Sequence, residues 1–352
     1  MAFELKELAD FDTLPFDQIV DVRSPSEYAL DHLPGAINLP VLDDKERALI
    51  GTIYVQTSRF QARKLGAALV AKNAAKHLEG ALADQNGSYQ PLVYCWRGGQ
   101  RSGSFASILA QIGWRVQVLN GGYRSYRQLV ARALYEDTFP APLFVLAGNT
   151  GTAKTEILHR LRNPAMQVID LEGLANHRGS LFGARPGGQP SQKAFESLLA
   201  KEISELDRTK PVVVEAESSK IGQLYVPPGL WQAMGNAPRI TIEAPLPERA
   251  KYLTHAYQDL LEHPDNLLNI IDKLRPIHAA EKIDAWLEFA KKGAHQELAT
   301  ALMQHHYDPR YAKKGAVKPN QTGPVIALAD LSEKSLDKAA NALVKKIENQ
   351  GR

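Results

Sequence analysis

The chain has 352 residues, 44% apolar and 23% charged, with a net charge of +3. At about 150 residues per domain, this length implies two domains of ordinary globular composition. The single cysteine excludes an internal disulfide, a CxxC redox pair and any multi-cysteine metal site. The opening MAFELKELADFDTLPFD has no apolar stretch like that of a signal peptide, and nowhere do about 18 apolar residues run together. A soluble, cytoplasmic protein is expected. Residues 1–137 balance their charges, so the cationic excess falls in 138–352.

In chain order, Ile19–Val22 is a short apolar run ending in an acidic turn, and Lys64–His77 reads as helix. Leu92–Tyr94 is a strand followed by the glycine-bearing turn Cys95–Gln100. Ser102–Ile112 is a helix, Val116–Leu119 a strand, Gly121–Gly122 a turn and Tyr123–Tyr135 a helix. Strands alternating with helices imply a parallel α/β sheet. Glu136–Pro142 reads as a proline-bearing linker, which divides the chain into domains 1–137 and 138–352. The pattern then restarts with the strand Leu143–Ala147 and a helix to about Arg162. Val168–Asp170, Pro211–Glu215 and Arg239–Ala244 are further parallel strands. From Glu248 the chain is mostly helical, with a last apolar run at Val325–Ala329 and a terminal helix over Lys334–Glu348.

Cys95 directly follows a strand and precedes WRGGQRS. A thiol surrounded by cations at a helix start has a lowered pKa and is nucleophilic. Arg97 and Arg101 flank this turn, and Gly98 and Gly99 let successive N–H groups point inward as an anion cradle. Such a cradle suits a thiolate, a persulfide, a perselenide or an oxyanion.

Three ordered motifs, DVRSPSEY at 21–28 with HLPGAINLP at 32–40, CWRGGQRS at 95–102 and LNGGY at 119–123, resemble the rhodanese family over about residues 4–135. The resemblance implies that Cys95 carries a transferable sulfur or selenium. The Cys-x5-Arg spacing from Cys95 to Arg101 is that of rhodanese-like phosphatases, whereas Tyr94 stands where those phosphatases usually have histidine.

Gly148-Asn149-Thr150-Gly151-Thr152-Ala153-Lys154-Thr155 follows a strand and opens a helix, the context of a Walker A loop. Its N–H groups and Lys154 would hold a di- or triphosphate, and Thr155 could bind Mg²⁺. Ala153 replaces the consensus glycine before the lysine. Its methyl is tolerated only away from positive φ and from the phosphate, which speaks against efficient nucleotide hydrolysis. Glu215 or Glu217 after PVVV, or alternatively Asp170, would fill the acidic Walker B place. Candidate substrate or RNA contacts are Arg23, His177, Arg178, Arg249, Arg310, Lys313 and Lys314, the last three in a stretch where cations sit beside aromatics. His305 and His306 are adjacent, so their side chains diverge, and no metal ligand is assigned.

Together with NHRGSLFG, QPSQKAFE and VVEAESSKIG, the two-domain combination resembles the tRNA 2-selenouridine synthase family over nearly the whole chain. That resemblance implies an N-terminal rhodanese-like domain and a P-loop α/β domain with a helical C-terminal part. It implies a transferase acting on 2-thiouridine at wobble position 34 of the tRNAs for Lys, Glu and Gln. Geranyl diphosphate would alkylate the sulfur, and selenophosphate would then supply selenium through Cys95. The partners implied are the tRNA anticodon stem-loop and an enzyme supplying selenophosphate, with no membrane; a monomer is expected. Two other readings stand beside it: a P-loop small-molecule or nucleoside kinase fused to a sulfurtransferase, and a non-catalytic RNA-binding scaffold.

Overall fold

The computed structural model describes residues 2–161, 166–314 and 323–350, excluding the side chains of Asp12, residues 312–314 and Gln350. The chain forms two compact units, one of residues 1–137 with 190–205, the other of 138–189 with 206–352. The boundary near 138 therefore does not leave 138–352 as one body: the segment 190–205 packs with the first unit.

The first unit is a five-stranded parallel sheet of β1 (Ala2–Phe3), β2 (Gln18–Asp21), β3 (Ala36–Asn38), β4 (Pro91–Tyr94) and β5 (Gln117–Leu119), in the order β1-β5-β4-β2-β3. Parallel strands need crossovers, and these are mostly helices. Asp43 caps the helix Asp44–Gln56 by accepting the Glu46 N–H. Gln100–Gln111 buries Phe105, Ala106 and Leu109. The core joins Val20, Val22, Val93, Phe105, Leu109 and Cys95 itself.

The helix Gln192–Ser204, begun by a Ser191 cap, completes this unit. Its buried Glu196 accepts hydrogen bonds from Arg127 and Tyr135, and Ser197 donates to Asp31 at 2.8 Å. These polar partners lie more than sixty residues away in sequence, which is why the linker reading missed the crossing.

The second unit repeats the architecture with β6 (Leu143–Gly148), β7 (Gln167–Ile169), β8 (Val212–Glu215), a small antiparallel hairpin of β9 (Lys220–Ile221) and β10 (Leu224–Tyr225), β11 (Arg239–Glu243) and β12 (Val325–Ala327). The main sheet is parallel, in the order β12-β11-β6-β8-β7. The C-terminal helix Glu333–Gln350 covers it with Leu336, Ala339, Ala340, Leu343 and Ile347. Between β11 and β12 a helical layer has its own core of Leu267, Ile271, Ile283, Trp286, Leu298 and Leu302. Among the described residues, no helix is long and apolar enough to cross a membrane.

Candidate active sites: a thiolate loop and a phosphate loop

In each unit the candidate loop leaves the C-terminal end of an interior strand, where parallel α/β sheets place their ligands. In the first unit Cys95 follows β4 and is buried. Gly99 donates its N–H to the Cys95 sulfur at 3.3 Å, and the Ser102 hydroxyl donates at 3.1 Å. Burial pushes the thiol pKa up. The Ser102 hydroxyl and N–H, the Arg97 N–H and the Arg101 charge outweigh it, so the net direction is down.

Two glycines make this loop feasible. A Cβ on Gly122 (φ 58°) would lie 2.3 Å from the Cys95 carbonyl oxygen, and one on Gly98 (φ 67°) would lie 2.6 Å from the Leu119 carbonyl. The close approach lets Tyr123 and Arg124 donate their N–H groups to the carbonyls of Cys95 and Trp96. LNGGY and CWRGGQRS are thus one structural unit.

Arg101 is held by Glu27 at 2.6 Å, and Arg47 lies 3.8 Å from the same carboxylate. Glu27 also accepts the Ser24 N–H at the start of its helix. Burial acts to raise the Glu27 pKa, but Arg101, Ser24 and Arg47 bring it below the ordinary value. Arg97 and Gly99 are exposed at the mouth. Ser102 and Glu27 are the residues the sequence reading did not assign, although both lie inside its motifs.

Arg23 is not a substrate contact. It is 1% exposed, bonds Asp21 at 2.6 Å and the Asp31 carbonyl at 2.6 Å, and stacks 4.0 Å from the Tyr123 ring centroid. A guanidinium enclosed in this way cannot reach a ligand, and DVR serves to brace the loop from below. Tyr94 is also buried, and its hydroxyl accepts the Leu33 N–H.

In the second unit the loop after β6 has Gly148, Gly151 and Ala153 at positive φ. Ala153 stands at φ 56°, ψ 33°, with its side chain buried in the core. The condition set for a harmless methyl is not met, and a non-glycine residue there carries strain. Lys154 folds back, donating to the Gly148 carbonyl at 2.9 Å. Thr155 donates to Glu172 at 3.2 Å, and buried Thr152 donates to the Asn149 carbonyl. The loop borders a cleft with about 3430 Å³ of empty space, open mouth included, which Glu172, Arg178, Glu217, Arg239 and Arg310 also line.

The acidic alternatives now separate. Asp170 caps Gly173 and meets His159 at 2.6 Å, so it is already engaged. Glu215 is buried at the end of β8 and accepts the Glu172 N–H; desolvation, then Asp170 and Glu172, push its pKa well up. Glu217 reaches the cleft, and burial followed by Glu172 raises its pKa to about 8 against the pull of Lys154.

Two other candidates, Arg249 and His177, are buried. Arg249 is buried: it donates to the Thr150 carbonyl at 2.9 Å and makes a two-pronged pair with Asp308 at 3.0 and 2.7 Å. It clamps the loop and has no free edge for RNA. His177 is buried with a lowered pKa, from burial and then Arg185 and Arg178, and its Nδ1 accepts the Gly179 N–H. A neutral, engaged imidazole is a poor phosphate contact. Arg178 lines the cleft but pairs with Asp259 at 2.6 Å. Arg310 is exposed in the cleft beside His306, while the side chains of Lys313 and Lys314 lie outside the described residues.

Residues 2–129 match the rhodanese-like domain family, and residues 141–327 match the family described as tRNA 2-selenouridine synthase AAA domain. The tRNA 2-selenouridine synthase of Alcanivorax borkumensis is 33% identical over 83% of this chain and 88% of its own. That of Chromohalobacter salexigens is 40% identical over 69% of this chain and 66% of its own, and that of Nitrosomonas europaea 36% identical over 68% and 63%. These last two alignments leave about a third of those relatives unmatched. With a rhodanese-like unit, a phosphate-loop unit and matches that extend across both, the chain belongs to the tRNA 2-selenouridine synthase family.

Proposed function

We propose that this protein converts 2-thiouridine at position 34 of the tRNAs for Lys, Glu and Gln into 2-selenouridine, in two steps on two loops. The observation that carries the reading is the presence in one chain of a thiolate cradle around Cys95 and a phosphate loop around Lys154. In the first step the thiocarbonyl sulfur attacks C1 of geranyl diphosphate. The C1–O bond breaks, diphosphate leaves with the bonding electrons, and N3 of the base gives up its proton. Lys154 and the N–H groups of 148–155 stabilise the departing charge. Alkylation turns a poor leaving group into a better one.

In the second step Cys95 enters as a mixed disulfide with an external thiol; water takes the phosphoryl group of selenophosphate as phosphate, and the selenide released attacks the Cys95 sulfur and expels that thiol, leaving Cys–S–Se⁻ under the Gly99 and Ser102 donors. Its terminal selenium attacks C2 and the geranyl thiolate leaves. An external thiol then attacks the Cys95 sulfur, breaking the S–Se bond: selenium stays on the base, N3 takes the thiol's proton, and the mixed disulfide on Cys95 is restored. With one cysteine in the chain, no internal thiol can do this.

The donors near the phosphate loop also fit Mg²⁺, which takes one or two carboxylates and shares oxygen ligands with phosphates. The Thr155 hydroxyl and the Glu172 carboxylate, 3.2 Å apart, would hold it with Glu217 nearby. Bound there, the ion would supply positive charge to the diphosphate. A kinase fused to a sulfurtransferase remains the second reading, and ATP turnover without tRNA would favour it.

The deciding experiment is mass spectrometry of nucleosides from 2-thiouridine tRNA treated with geranyl diphosphate and then selenophosphate. S-geranyl-2-thiouridine after the first addition and 2-selenouridine after the second are expected. If the first product is missing, the diphosphate role of the P-loop unit is wrong.

A further inference from the structure

The helical layer of the second unit contains a pocket separate in character from the wide cleft. Leu253, Leu260, Leu267, Leu298, Ala299 and Leu302 line it, and none of its lining residues is Lys, Arg, Asp or Glu among the described residues. Its cavity volume is about 70 Å³, and the empty space with the open mouth included is about 530 Å³. Protein cores pack closely and close such spaces, so an apolar pocket left open at a ligand cleft calls for an occupant.

The position of its mouth is the second observation. Thr150 of the phosphate loop, with Ser180, Tyr257 and Tyr307, borders both the pocket and the cleft. Positive charge stops at this border: Lys154 and Arg178 line the cleft but not the pocket. A molecule lying across it would have its anionic end on the loop and an uncharged end among leucines. A nucleobase would meet few hydrogen-bond partners there, whereas a branched hydrocarbon needs none.

We propose that this pocket seats the hydrocarbon chain of a prenyl diphosphate whose diphosphate lies on the loop around Lys154. The inference rests on the prenyl-transfer reading above and names where the chain goes. Each buried carbon is worth about fourfold in affinity, so chain length is a direct reporter.

The test is calorimetric binding of inorganic pyrophosphate, dimethylallyl diphosphate and geranyl diphosphate to the full chain, and to Ala299→Trp and the milder Ala299→Leu. In the native chain geranyl diphosphate should bind at least about tenfold tighter than dimethylallyl diphosphate. Ala299→Trp should abolish that advantage and Ala299→Leu reduce it, with pyrophosphate binding unchanged as the check that the loop is intact. If the advantage persists in both variants, the pocket assignment is overturned while prenyl binding stands. If the native chain binds all three alike, the prenyl reading itself falls. Independently of any variant, a diazirine-bearing geranyl diphosphate should label residues 253–261 or 295–307 of the native chain, and labelling confined to other segments would overturn the proposal.

Discussion

The Ser102 hydroxyl donates to the Cys95 sulfur at 3.1 Å, from the first turn of the helix that follows the loop. A buried thiol is normally a poor acid, and this bond leads the groups that reverse the effect of burial. Ser102→Ala should raise the Cys95 pKa, since a hydrogen bond to a charged group is worth about 1.5–3 kcal/mol before relaxation. The rate of iodoacetamide alkylation against pH measures it. An unshifted profile would remove Ser102 from the site.

Glu27 and Arg101 give a stability signature with a defined sign. The folded pKa of Glu27 lies below the ordinary 4.5. Its contribution is therefore complete above that value and is lost as pH falls through the folded pKa. Both side chains keep some solvent contact, 15% and 20% exposed, so Glu27→Gln should cost at most about 1 kcal/mol. Thermal melts should show the gap between native and variant at about pH 6–7 and its closure as the pH falls through the lowered Glu27 pKa.

Arg249 ties the phosphate loop to Asp308. Removing one partner of a buried pair costs about 3–5 kcal/mol, but Asp308 is 29% exposed, so Arg249→Ala should cost nearer about 2 kcal/mol. Arg249→Lys should recover only part, because an ammonium cannot serve Thr150 and both Asp308 oxygens in the same geometry. Urea denaturation midpoints separate the three proteins.

Ala153→Gly sets a backbone gain against a packing loss. The left-handed conformation costs an L-residue about 1–2 kcal/mol, and the buried methyl returns about 0.8 kcal/mol. Net stabilisation below about 1 kcal/mol is expected from denaturant titration. Ala153→Val should destabilise, since β-branching adds bulk at the same φ.

The two proposed steps should uncouple. Cys95→Ser should leave S-geranyl tRNA accumulating with no selenium incorporated. Lys154→Ala should slow geranylation on the order of a hundredfold. A Cys95→Ser protein that still makes 2-selenouridine would show that the thiol is not the carrier.

By itself, the sequence determined the two loops and the family. Cys95, Gly98 and Gly99, and the run Gly148–Thr155, act through backbone conformation over a few neighbouring residues, and local spacing encodes such conformation directly. It also located the strand β6 and the terminal helix within a residue or two. Only the tertiary structure decided which cations are free. Arg23 and Arg249 look like ligand contacts in the chain, but one is enclosed by Asp21, Asp31 and Tyr123 and the other pinned by Asp308, 59 residues away. The same holds for the helix Gln192–Ser204, drawn into the first unit by Arg127, Tyr135 and Asp31, and for the apolar pocket, whose walls come from residues 150 to 307. Burial and charge pairing depend on which distant segments meet, and nothing in the neighbouring sequence records that.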